Sequence, residues 1–190
     1  MRAADSNRRP PRVTPVTTTG VTSPVERALA EFGAWGSSAF FRTMANNPVV
    51  LPAWGQLVQC LLDATLPARE RELLILRTAY LCQATYPWSV HEPIGRAAGL
   101  SEQEIERLRV DPAADGWSVA DAALLAAVGE IHCDSRVSDP TWERLQEHFT
   151  LAQLVEIPVV VGFYHLNAYA ANTLDIGVGA PGTDHLEAAR

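Results

Sequence analysis

Two helix-patterned segments, PARERELLILRTAYL (67–81) and WSVHEPIGRAA (88–98), stand only six residues apart. A gap that short holds no further element, so the two must fold back on each other as an antiparallel helical hairpin. The first segment carries Leu73, Leu76 and Tyr80 at helical spacing. Glu70 and Glu72 lie in its first turn, where negative charge meets the positive end of the helix dipole. The connecting residues CQATYP (82–87) form the turn and lead into the second helix.

Helix signals recur on both sides of the hairpin. Ser101 with Glu104, Ser118 with Asp121 and Thr150 with Gln153 are each a capping box ahead of an apolar run. Asp139-Pro140 puts a cap residue and a first-turn proline before TWERLQEHF. Gly99 is a helix stop. Residues 54–62 form a short helix after Pro52, and 23–45 hold one or two more. VEIPVVVGFY is β-branched, but the cap before it and NAYAANTL after it make it helical, with a kink at Pro158. The expectation is an all-α protein: a single helical domain over 23–180 with about seven or eight helices and no sheet. Residues 1–22, rich in Pro, Thr and Arg, read as a disordered arm, and 181–190 as a flexible tail.

The chain has 190 residues and a net charge of −7, and all 15 basic residues are arginine. Without lysine there is no Schiff-base chemistry, no pyridoxal-phosphate attachment and no P-loop. No GxGxxG, HExxH or GxSxG occurs either. No cofactor is expected. Arg2, Arg8, Arg9 and Arg12 against Asp5 give the arm +3, which leaves −10 on the rest, a body unsuited to nucleic acid. The N-terminus lacks the apolar stretch of a secretory signal, and no apolar run approaches the roughly 18 residues of a membrane span. Cys60, Cys82 and Cys133 follow no disulfide or zinc spacing, and a cytoplasmic location is expected.

Few side chains remain for chemistry. Glu72 reads either as a solvated helix-N-terminal acid or as the partner of His91, which shares a helix face with Trp88 and Gly95. The two are not equidistant from the turn, so pairing them needs an offset or a bend. His132 sits late in its helix, where a cationic ring suits the dipole. His165 continues into Ala168, Tyr169 and Asn172, a polar stripe that suits a pocket, an interface or a core network. His91, His132 and His165 could converge, but no two of them fall at i, i+3 or i+4 on one helix, so no metal is expected.

The run LPARERELLILRTAYLCQATYPWSVHEPIGRAAGLSEQEI resembles the core of the carboxymuconolactone decarboxylase family, which includes the alkylhydroperoxidase D-like proteins. Weaker resemblance extends over roughly 35–180, through VGEIHCDSRVSDPTWERLQEHF and YHLNAYAANTL. In the family's redox branch a helix glutamate precedes a CxxC, and a histidine follows the second cysteine by four. Glu72 and His91 match the glutamate and the histidine, and the thiol positions fall on Ala84 and Pro87. A peroxidase needs an activated and a resolving thiol, so the redox mechanism is lost. A cysteine-free branch, whose turn typically runs Glu-Tyr-Glu-Trp, is more similar. Here Thr85-Tyr86-Pro87-Trp88 keeps the two aromatics without the acids, and Val90 stands where a second histidine often lies.

The resemblance implies an alkylhydroperoxidase D-like fold and a cofactor-independent acid/base enzyme. Such an enzyme would be a decarboxylase or isomerase/cyclase acting on a small unsaturated acid, lactone or ketone of specialised metabolism. His91 would be the acid/base, Glu72 would orient it, and Tyr86 would donate to an enolate oxygen. Trp88 and Tyr164 would wall the pocket, with His132, His165 and Asn172 as further substrate contacts. A homo-oligomer, trimeric, hexameric or dimeric, is also implied. The alternative is a non-catalytic binding or structural member with a decayed site. A thiol peroxidase ranks last.

Overall fold

The computed structural model describes residues 10–17, 23–110 and 116–177. These are all-helical and contain no strand. They divide into two compact units. One holds the residues up to Cys60 and those from Ala170 onward; the other is Leu61–Tyr169.

The first unit contains α1 (Pro24–Ala30), a 3-10 turn (Gly33–Ser37), α2 (Ala39–Met44) and most of α3 (Val50–Leu62). Its core is aromatic: Phe32 meets Phe41 at 4.7 Å and Phe40 meets Trp54 at 5.2 Å between ring centroids. The sequence starts the third helix at Trp54. It starts at Val50 instead, because Asn47 Oδ1 accepts from the backbone N–H of Val49 and Val50 and caps the turn earlier. Residues 10–17, read from composition as part of a disordered arm, are tied down. Arg12 donates to Asp175 at 2.8 Å and its backbone N–H to Leu174 O, while Val16 and Arg42 exchange backbone and guanidinium bonds. The remainder of the arm that is expected to be disordered, and the tail 181–190, lie outside the described residues.

The second unit is built on α4 (Ala68–Leu81), which is buried without interruption from Glu72 to Ala79. Against it lie α5 (Thr85–Ala97) and α7 (Val119–Asp134), with α6 (Glu102–Arg107), α8 (Asp139–His148) and α9 (Leu151–Thr173) completing the bundle. Leu73, Leu74, Ile75, Leu76, Leu124 and Leu125 are fully buried. Tyr80, placed by periodicity on the core face, is 41% exposed, because α4 ends one residue later and the ring turns out to Trp88. Two buried or half-buried arginines fix α4 in place. Arg69 makes bidentate bonds to Asp121 and reaches Glu104, and Arg77 donates to the Leu108 carbonyl at the C-terminus of α6 and to the Val110 carbonyl just beyond it.

The connection between α4 and α5 is three residues long, not six. The helix bond from Cys82 N–H to Thr78 O is followed by Gln83 at φ +52°, and Ala84 N–H returns to Ala79 O. This left-handed closure ends α4 and lets α5 begin at Thr85. The boxes at Ser101 and Thr150 form reciprocally, and Ser118 caps α7 through Asp121 N–H. Gly99, at φ +104°, stops α5. Ahead of α8 the cap position belongs to Ser138, whose hydroxyl and N–H are taken by Glu130. α9 runs as one helix through Pro158. Among the described residues it alone is long and apolar enough to cross a membrane, although Glu156, Pro158, His165 and Asn167 interrupt its apolar run. Its buried line includes Leu154, Ile157, Val160 and Val161.

Candidate active site

The hairpin brings Glu72 and His91 together, with Glu72 Oε2 2.8 Å from His91 Nδ1. The offset comes from Gly95, one helical turn beyond His91. A Cβ there would stand 3.0 Å from Leu76 Cδ1 and 3.7 Å from Glu72 Cβ, so only glycine lets α5 approach α4 this closely without a neighbour giving way. The early start of α5 supplies the rest of the register. Glu72 is 2% exposed, so its charge is held by its neighbours rather than by water. These are His91 and, at 3.8 Å, Arg71 Nε.

The other ring nitrogen of His91 meets a residue from α9. Tyr164 Oη lies 3.1 Å from Nε2, and the two rings are edge to face with centroids 4.9 Å apart. An ionised carboxylate only accepts, so Nδ1 carries the proton toward Glu72 and Nε2 presents its lone pair to the Tyr164 hydroxyl. Burial, above all, and then the Glu72 charge hold the Tyr164 hydroxyl well above the usual phenol range, with Arg71 acting weakly the other way. Tyr164 is therefore a proton-bearing donor at neutral pH. The three groups form one chain: carboxylate, imidazole, phenol. From sequence Tyr164 is expected only as a pocket wall, and nothing signals this bond, since residues 72, 91 and 164 share no spacing rule.

Tyr86 and Trp88 stand differently. Tyr86 is buried in the first turn of α5, five positions before His91, which turns it about 140° away around the helix. Trp88 is committed to an outer cluster. Its indole N–H donates to Glu92 at 2.7 Å, its ring meets Tyr80, and the Arg109 guanidinium lies 4.6 Å over it.

His132 and His165 come together, but in a second cluster. His132 Nδ1 is 2.9 Å from His165 Nε2, and Cys82 Sγ is 4.0 Å from His132 Nδ1. His165 is buried, and its Nδ1–H donates to Val161 O at 2.9 Å. Burial, then His165, then Arg77 lower the pKa of His132, while burial raises that of the Cys82 thiol. Tyr164 and His165 are consecutive on α9 and serve the two clusters separately. Asn172 is exposed near the end of α9, in the other unit. A cavity of about 380 Å³ elsewhere is lined by Glu130, Asp134, Arg136, Ser138, Asp139 and Pro140, none of them a residue of either cluster.

Residues 48–129 match the model of the carboxymuconolactone decarboxylase family. Among solved structures, the debrominase Bmp8 aligns with a TM-score of 0.73 at 15% identity, over 92% of this chain and 96% of that one. An uncharacterized peroxidase-related protein from Ralstonia eutropha JMP134, with an alkylhydroperoxidase AhpD core, aligns at 0.70 with 20% identity over 87% and 92%. A protein of unknown function from Agrobacterium tumefaciens aligns at 0.65 with 23% identity over 70% and 92%. At these identities the likeness is one of fold. No curated protein matches the chain.

Proposed function

We propose that the chain, whose residues 48–129 match the carboxymuconolactone decarboxylase family, is a member of that family and a cofactor-independent acid/base enzyme, a decarboxylase or isomerase/cyclase of a small unsaturated acid, lactone or ketone. The observation that carries this reading is the chain Glu72–His91–Tyr164. A substrate entering between His91 and Tyr164 takes the place of their mutual hydrogen bond. Nε2 then removes or returns the proton at carbon, and Glu72 stabilises the imidazolium that forms. The Tyr164 hydroxyl, kept protonated by burial, donates to the oxygen on which negative charge develops. Tyr164 thereby takes the role expected of Tyr86. For a decarboxylation Nε2 first takes up the proton of the substrate's carboxylic acid, the substrate delocalises its own electron pair as carbon dioxide leaves, and the imidazolium returns that proton to the carbanion and ends neutral.

A second reading has its own support. Both ring nitrogens of His91 already have protein partners, as they would in a non-catalytic binding or structural member. Thiol peroxidase chemistry is disfavoured by the raised pKa of Cys82. The two main readings separate in one experiment. The purified protein is incubated in heavy water with a panel of small β,γ-unsaturated acids, enol lactones and β-keto acids, followed by proton NMR. Protein-dependent deuterium incorporation or loss of carbon dioxide supports the enzyme, and its absence across the panel favours the non-catalytic member.

We further propose a homo-oligomer. Val155, Val159, Leu166 and Tyr169 are exposed on α9. With Gly162 they follow a 4-3-4-3 spacing, the seam along which one helix packs on another copy of itself.

A further inference from the structure

We propose that Cys82, His132 and His165 form a three-ligand site for a borderline-soft divalent metal ion, of which zinc is the type. Their donor atoms come from the end of α4, the last turn of α7 and the middle of α9, and all lie within 4.8 Å of one another. Around a tetrahedral zinc, with Zn–N about 2.0–2.1 Å and Zn–S about 2.3 Å, donors stand roughly 3.3–3.8 Å apart. His132 Nδ1 and His165 Nε2 at 2.9 Å have to part by about half an ångström, while Cys82 Sγ, 4.0 Å from His132 Nδ1 and within 4.8 Å of the His165 ligand atom, has to close by a few tenths on the first and by up to about 1 Å on the second.

The cluster is also oriented as metal ligands are. His165 gives its Nδ1–H to the Val161 carbonyl, which fixes the ring and leaves Nε2 as a bare lone pair aimed at the other two groups. That ring is buried, and Cys82 is held as the cap of α4 by its own backbone bond to Thr78. Exposed His132 supplies the adjustable ligand and leaves the site open to entry from solvent. Two imidazoles with a thiolate suit zinc rather than magnesium or calcium. Three protein ligands leave one tetrahedral position for water.

Binding requires no electron transfer. The Cys82 thiol releases its proton to solvent, the neutral His132 ring moves its proton from Nδ1 to Nε2, and the ion forms one bond to sulfur and two to nitrogen. The thiolate reduces the charge of the bound ion to +1 beside the Arg77 guanidinium, whose charge already acts on His132. Because His165 directly follows Tyr164 on α9, an ion held there also pins Tyr164. The site is independent of whether His91 is catalytic.

The test uses full-length, chelator-treated, reduced protein in a Cys60→Ser, Cys133→Ser background, which removes the two exposed thiols. Cobalt(II) and then zinc(II) are titrated in. The expected result is about one equivalent of cobalt per chain with tetrahedral d–d bands and a sulfur-to-cobalt charge-transfer band, displaced by zinc. Cys82→Ser abolishes the charge-transfer band, and His132→Asn weakens binding by at least about tenfold. Both variants are checked for helicity by circular dichroism, and neither removes a fully buried side chain, so the test does not depend on His165→Ala folding. No stoichiometric uptake by the parent, or uptake unchanged in Cys82→Ser and His132→Asn, overturns the proposal.

Discussion

Glu72 Oε2 sits 2.8 Å from His91 Nδ1 although the two residues are unequally distant from the turn that joins their helices. The three-residue closure at Gln83 and the close approach at Gly95 create that register. The bond sets the tautomer of His91 and offers charge to its protonated form. Glu72→Gln keeps the shape and removes the charge. Its amide competes for the wrong tautomer, so turnover is expected to fall about 10²-fold or more with helicity unchanged. Steady-state rates of the variant against the parent check this.

Tyr164→Phe removes one hydroxyl and keeps the ring that packs edge to face on His91. Stability should change by no more than about 1 kcal/mol. Turnover should fall by about 10²-fold, the usual cost of losing one donor to a developing oxyanion. Urea unfolding and kinetics on the same sample separate the two effects.

Acid sensitivity should centre in part on Glu156. Burial alone would raise its pKa, but bonds from the Thr65 backbone and hydroxyl and the Leu66 backbone outweigh burial and lower it. A carboxylate depressed in the folded state adds stability above its unfolded value of about 4.3 and loses it as pH falls through the folded value. Glu104 and Glu130 act in the same direction. Glu156→Gln should therefore cost about 1 kcal/mol at pH 7, less where water screens the site, and should flatten the stability loss below about pH 4.3. Urea midpoints between pH 3 and 7 report it.

The exposed line of α9 should mediate self-association. Light scattering coupled to size-exclusion chromatography is expected to give a multiple of the 20.7 kDa chain mass. Leu166→Glu, which places a charge in the seam, should shift the population to monomer without loss of helix content. A monomeric parent would remove the proposal.

Much of the fold was legible because its signals are local. Ser101, Ser118 and Thr150 each cap the helix they announce, and Gly99 ends one. The β-branched run after Glu156 proved helical, since its cap and its downstream residues outweigh its strand propensity. The lengths of the loops were less legible. Gln83 adopts a left-handed conformation that glycine or asparagine usually signals, so the α4–α5 turn looked twice as long as it is. Site residues followed the same division. Glu72 and His91 share a hairpin and could be paired in the mind from sequence; Tyr164 joins them from 73 positions away. Cys82, His132 and His165 are likewise gathered only by the packing of three helices, and no spacing rule covers them.

The most direct measurement of the central claim is the rate of solvent-deuterium incorporation by parent and His91→Ala protein, on whichever panel compound the parent turns over. The account predicts a loss of about 10²–10⁴-fold in the variant, with an unchanged circular dichroism spectrum. Full retention of the rate by His91→Ala would contradict it.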